Sequence, residues 1–312
     1  MRILVTKAMI AGAILSASMQ LPAADREAVN WLGRMGQSLQ TENYNGVFTY
    51  MRGSTFETIE IVHRHEDGVE QERLFNLNGD VRELYRKNDE VVCYHPDTGD
   101  VDTEHTVQIG PFTPAFSARV IATQNLYRLS MHGEDRIAGR TAVTLSISPK
   151  SNDRYGYRLW LDQETGLLLQ SHKVERGRVR EIFQFTSLDI GENISDDLLA
   201  SAIPGPTVSH RLSLDSSERA EKPGLHVRWL PDGFRAVRVQ GDRLHFTDGV
   251  ATFSVFVDRS KSGSLPDMTT RVGGTVVITR RPKESGPQIT VVGDVPVQTA
   301  RRVAESVEPV IY

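Results

Sequence analysis

The chain has 312 residues, 39% hydrophobic and 24% charged, with a formal charge of −4. That length has room for two cores, and the near balance of charge excludes the strongly basic surface of a nucleic-acid binder. A lone cysteine, Cys93, excludes an intrachain disulfide, so packed cores must hold the fold.

Residues 1–24 begin with Arg2 and Lys7, run apolar from Ala8 to Ala17 and end in small residues, the pattern of a secretory signal peptide. The apolar run is too short for a stable membrane-spanning helix. No cysteine stands there to carry a lipid, so the mature chain is expected outside the cytoplasm, free of an anchor. Ala28, Leu32, Met35 and Leu39 recur at helical spacing, which predicts an amphipathic helix over 25–40. Five strands of an antiparallel meander follow at 46–52, 58–65, 69–77, 81–87 and 90–94, with Asn78-Gly79 as the clearest hairpin turn. Residues 96–114, rich in glycine, proline and acid, read as a loop laid over something apolar, and 115–127 as a short helix.

Strands resume at 137–148, then in the hairpin RYGYRLWLDQETGLLLQSHKV (154–174), then at 179–188. Pairing that hairpin about its polar turn sets Leu161 opposite Leu167 and Leu159 opposite Leu169 on one apolar face. Trp160 and Leu168 then meet on the other, which a solvated face would not tolerate without cover. Roughly ten antiparallel strands are too many for a flat sheet and should curl, with a helix or a ligand covering the hollow side.

Residues 193–222 turn polar and irregular, with Pro204, Pro206 and the run SLDSSERAEK; a linker is assigned to 204–222. Beyond it, strands at 225–230, 234–240, 243–247, 251–258, 275–280 and 288–292, turns at Pro231-Asp232-Gly233 and Thr247-Asp248-Gly249, and a helix opened by Pro296 describe a small α+β domain at 223–312. Residues 25–222 hold 22 Lys and Arg against 31 Asp and Glu, net −9; residues 223–312 hold 12 against 9, net +3. This division marks two units with different or mutual attractions.

No reactive constellation stands out. His63 and His65 share a strand face but lack the further ligands a metal needs. Cys93 and His95 do not have the geometry of an activated pair, and Val91 and Val92 beside them point to a packed thiol. Serine-hydrolase, zinc-protease and phosphate-loop motifs are missing. A binding protein is expected, with no cofactor, no metal and no catalytic residue. Two basic clusters, Arg176-Arg178-Arg180 and Arg280-Arg281-Lys283, could meet an acidic peptide or anionic head groups. The second is the partner-binding candidate because its unit is basic as a whole. Phe48, Tyr50, Phe112, Trp160 and Leu168 are the lipid-cavity candidates.

The segments YNGVFTY, LNGDVRELYRKNDEVVCYHP, RYGYRLWLDQETGLLLQS, LPDGF, FTDGVATFSVFV and VVGDVPVQTARRVAESV, in this order and spacing, resemble the periplasmic sigma-factor regulatory family RseB/MucB over essentially the whole mature chain. The resemblance implies a mainly β (α+β) protein. Residues 25–203 would form a half-open antiparallel barrel similar to the lipoprotein carriers LolA and LolB, with helices on its concave side, and a smaller C-terminal domain would follow. It further implies binding to the periplasmic domain of a membrane anti-sigma factor of the RseA/MucA type, shielding it from regulated proteolysis, and release on sensing lipid or lipopolysaccharide. A homodimer is also expected from the resemblance. The alternative is a periplasmic lipid or lipoprotein carrier, which the first domain alone would permit but which has no evident use for the second.

Overall fold

The structure is a computed structural model that describes residues 23–88, 90–94, 114–191, 193–201, 203, 207–211, 225–240, 242–259, 266–282 and 286–309. In the large unit, α1 (Ala23–Thr41) leads into β1 (Tyr44–Arg52), β2 (Thr55–Glu66), β3 (Val69–Asn76), β4 (Glu83–Lys87) and β5 (Glu90–Tyr94). Next come α2 (Pro114–Ala122), β6 (Tyr127–Ile137), β7 (Arg140–Pro149), β8 (Gly156–Asp162), β9 (Leu168–Glu175) and β10 (Arg178–Ile190), then α3 (Asp196–Leu199) and β11 (Thr207–Arg211). All eleven strands join one antiparallel sheet in the order β11-β5-β4-β3-β2-β1-β10-β9-β8-β7-β6. The sheet stays open, with β11 and β6 as its edges. Its curl is tight: β10 and β6, separated by three strands that would hold them about 19 Å apart in a flat sheet, touch.

The inner face carries the core. Leu145, Ile147, Leu159 and Leu161 are fully buried there, and α1 adds Ala28, Leu32 and Met35 from its apolar stripe. Phe48, Phe183 and Phe185 pack ring to ring at 4.9 to 5.9 Å, and Phe116 of α2 stands edge-on to Tyr157 at 5.2 Å. Helix α1 is fastened to the β8–β9 turn. Arg34 donates to the carbonyl of Glu164 at 2.7 Å and Ser38 to that of Thr165. Gly166 (φ 85°) makes the approach possible, because a Cβ there would stand 2.9 Å from Cβ of Arg34.

The small unit contains β12 (Leu225–Val227), β13 (Arg235–Gln240), β14 (Arg243–Thr247), β15 (Thr252–Asp258), β16 (Met268–Val272), β17 (Thr275–Arg280), β18 (Gln288–Gly293), α4 (Val297–Glu305) and β19 (Val307–Pro309). Its main sheet runs β13-β14-β15-β18-β17-β16, while β12 pairs with β19. Ala300, Val303 and Ala304 of α4 bury themselves against β17 and β18 on one face only.

Four sequence expectations change. The stretch assigned to a linker contains β11, which pairs with β5 through its main chain from Thr207↔Tyr94 to Arg211↔Glu90. Strands resume at Tyr127 rather than at residue 137, and the helix expected to reach 127 ends at Ala122. In the hairpin over 154–174 a bulge shifts the register, so Leu161 faces Leu168, Trp160 faces Gln170 and Leu159 faces Ser171. Leu168 thereby moves to the side of Leu161, while Trp160 keeps the face opposite Leu159 and Leu161, which is the outer one.

Candidate functional site

Phe48, Trp160 and Leu168 all join the buried cluster of the large unit, with Tyr50 packed against it, but they do not share one face of the sheet. Phe48 is in the inner aromatic cluster, and Leu168 lies opposite Leu161 beside it. Tyr50, two residues along β1 from Phe48, shares that face and donates to Oε2 of Glu181 at 2.8 Å. Trp160, in the same cluster, stands on the outer face and is covered there by its own neighbours. Its Nε1 donates to Asp135 at 2.9 Å, His172 meets it edge-on at 4.6 Å, and the Arg158 guanidinium lies 4.9 Å over the ring. This shell answers why a tryptophan can stand on the outer face. Phe112 lies outside the described residues.

The far end of the inner face is closed by charge. His63, buried, stacks on Tyr44 at 4.8 Å, contacts the Glu42 carbonyl at 2.7 Å and reaches Glu70 at 3.2 Å. Its role is that of a hydrogen-bonded core histidine. Arg86 grips both Glu70 and Glu72. Burial works to raise the Glu70 pKa, but the hydrogen bonds from His63 and Arg86 outweigh it and hold it at about 2 against an ordinary 4.5. A depressed carboxyl contributes stability in full above its unfolded value and loses it as pH falls towards the folded one. Between pH 4.5 and 2 the wild type should lose about 2–3 kcal/mol from this group. Urea midpoints measured across that window should show a smaller loss for Glu70→Gln than for the wild type.

The largest feature missed in the sequence is the seam between the two units. Arg154, just before β8, inserts between the two turns of the small unit. Its Nη1 donates to Asp248 at 2.6 Å, its Nη2 donates to the Asp232 carbonyl, and the guanidinium lies 5.5 Å over Phe234 and 5.8 Å over Tyr127. The two charged side chains are 1% and 0% exposed, so this is an ion pair removed from water. Asp248 also accepts from the backbone N–H groups of Val250 and Ala251. Nearby, Glu181 is buried and accepts from Tyr50, from Lys173 at 2.7 Å and from the backbone N–H of Gly274 at 2.8 Å. Lys173 bridges on to Asp294 at 3.1 Å, while Tyr155 donates to the Val295 carbonyl and Thr299 to that of Asp153. Burial lowers the Lys173 pKa, and the carboxylates of Asp294 and Glu181 more than reverse it, leaving it raised.

The basic candidates are partly engaged. Arg280 stands 4.0 Å from Glu305, and the backbone N–H of Arg281 donates to Asp267 at 2.7 Å. Lys283 lies outside the described residues. In the other cluster, Arg176 donates to Gln298 of α4 at 2.7 Å and Arg180 pairs with Glu175, so part of that hairpin tip joins the seam.

The MucB/RseB N-terminal domain model matches residues 27–203 and the MucB/RseB C-terminal domain model residues 219–308. The chain belongs to the MucB/RseB family. It is 34% identical to the sigma factor AlgU regulatory protein MucB of Pseudomonas aeruginosa, over 95% of this chain and 96% of that one. To the sigma-E factor regulatory protein RseB of Escherichia coli K12 it is 26% identical, over 89% of each. Among solved structures it is similar to the Pseudomonas aeruginosa MucA/MucB complex (32% identity, TM-score 0.74, 92% of this chain and 100% of that one). It is also similar to MucB in complex with MucA(peri) (31%, 0.69, 91% and 100%).

Proposed function

We propose that this chain is a periplasmic negative regulator of an extracytoplasmic-stress sigma factor. It binds the periplasmic domain of a membrane anti-sigma factor of the RseA/MucA type and shields it from regulated proteolysis. The observation that carries this reading is the continuous likeness, through both domains, to MucB proteins solved with MucA. The two domains act as one surface, joined by the Arg154 and Glu181 contacts. Arg280 and Arg281 of the small domain, with Lys283 beside them in sequence, contribute to the partner contact, and the protein works as a homodimer. On this reading it binds and regulates rather than catalyses.

Release follows from lipid entering the inner face at Phe48, Tyr50 and Leu168. A ligand that prefers the partner-free form shifts the equilibrium by its differential affinity, and swinging a complex from mostly bound to mostly free takes about 5.5 kcal/mol. An acyl chain buried at about 0.8 kcal/mol per CH₂ is long enough to supply that.

The test is protection. The mature chain should slow cleavage of the anti-sigma periplasmic segment by its site-specific protease, and added lipopolysaccharide should restore cleavage. Cleavage at the same rate with and without the chain would defeat the regulatory reading. Protection that lipopolysaccharide fails to lift would defeat only the release step.

A further inference from the structure

The inner face of the large sheet ends at the small domain. On β1 the inward row runs Phe48, Tyr50, Arg52, and the register carries its last member across the sheet as Arg52↔Glu181↔Lys173↔Tyr157. The tip of the β16–β17 hairpin lies on that line. A Cβ on Gly273 (φ 60°) would stand 2.5 Å from Cγ of Arg52 and 2.7 Å from Oε1 of Glu181, and one on Gly274 would stand 2.6 Å from Cδ of Lys173. Two consecutive glycines are what a tip seated this closely needs. Thr275, next in the chain, donates to Asp294 at 2.8 Å, and Asp294 holds Lys173, so the turn between β18 and α4 closes on the same line. The opposite end of the face is closed by the large domain's own Glu70 and Arg86.

The Glu181 carboxylate is shared between the two sides. Its Oε2 accepts from the Tyr50 hydroxyl at 2.8 Å on the inner face, and its Oε1 accepts from the Gly274 N–H at 2.8 Å on the small domain. Glu181 is 3% exposed, so water does not replace a donor that leaves. We propose that the β16–β17 tip is a stopper on the hollow of the large domain, and that Tyr50, Glu181 and Gly274 link what enters the hollow to the attachment of the small domain. This rests on the lipid-release reading above and supplies its regulation. An acyl chain lying along Phe48 and Tyr50 has no donor to offer Glu181, and its extension past Tyr50 meets Gly273 seated on Arg52. Occupancy of that end requires the tip to lift, and a seated tip excludes the chain. By linkage each opposes the other by the same factor.

The experiment measures uptake of cis-parinaric acid, a fluorescent fatty acid, by the mature chain. A disulfide in Arg52→Cys/Gly273→Cys, made with Cys93→Ser, locks the tip down. Arg52 Cγ is one bond from its Cβ, so the two Cβ atoms would lie within about 4 Å, the range a disulfide spans. The oxidised protein should bind the probe at least about tenfold more weakly than the same protein reduced, because the competent fraction has been removed. Gly274→Val loosens the tip, since its side chain does not fit beside Lys173, and uptake should tighten about tenfold over the wild type as the competent fraction rises. Equal affinity of the oxidised and reduced forms overturns the stopper and leaves lipid uptake standing. Where the bond does not form, equal affinity of Gly274→Val and the wild type has the same meaning. No uptake by any form, the loosened one included, overturns the stopper together with the lipid-release reading.

Discussion

Arg154→Ala should loosen the small domain from the large one at a cost of about 3–5 kcal/mol, the range for removing one partner of a buried ion pair. The loss is large because Asp248 stays behind, fully shielded, keeping only the Val250 and Ala251 N–H groups and a 3.3 Å contact from Tyr127. Two further attachments go with the guanidinium: its bond to the Asp232 carbonyl and its stacking between Phe234 and Tyr127. Neither domain core contains Arg154, so each should remain folded. In small-angle scattering the variant should have a larger radius of gyration at urea concentrations where the wild type stays compact. Arg154→Lys should recover only part of the loss, since an ammonium cannot span Asp248 and Asp232 together. A variant as compact and as urea-resistant as the wild type would mean that the pair contributes nothing.

Glu181→Ala should cost about 3 kcal/mol at the same seam by a different route. The change strands the Tyr50 hydroxyl and the Gly274 N–H and leaves Lys173 with Asp294 as its remaining carboxylate at the seam. Glu181→Gln keeps an acceptor for two of the three donors and should lose less. The lysine also sets a pH signature. Its raised pKa contributes stability that is complete below its ordinary 10.5 and is lost as pH rises through the higher folded value. Without Glu181 that folded value drops, so alkaline unfolding should begin at lower pH in Glu181→Ala. Because Arg154 and Glu181 hold one interface, the double variant should cost less than the two single losses added, once the domains have already parted.

Much of this architecture was legible because its signals are local. The α1 stripe of Ala28, Leu32 and Met35 and the Asn78-Gly79 turn depend on neighbours in sequence, and each led to the right element. The missed strands share a physical cause. All five residues of β16 are exposed, and β6 is exposed from Gly133 to Arg136, because each is a sheet edge with one paired side and little burial to impose alternation. β11 was hidden in linker-like composition since main-chain pairing makes few demands on side chains. Alternation had already set Trp160 opposite Leu159 and Leu161; that this face is the outer one follows from the curl of the whole sheet, while the one-residue bulge moves Leu168 to the side of Leu161 and leaves no mark in composition. The seam was unreadable for another reason. Aspartate in Thr247-Asp248-Gly249 is an ordinary turn residue, and its second duty, accepting from Arg154 94 residues away in sequence, exists only in the fold. His172, whose pKa burial and Arg158 lower, likewise acquires its role only beside Trp160.

The central claim is that both domains together receive the periplasmic segment of a MucA/RseA-type anti-sigma factor. Calorimetric titration of that segment into the mature chain, run in parallel on Arg154→Ala, tests it most directly. Saturable binding to the wild type that weakens at least about tenfold when the domains are unpinned is the predicted result, equal to about 1.4 kcal/mol. No heat of binding with the wild type, or equal affinity for a variant whose domains have visibly separated, would contradict it.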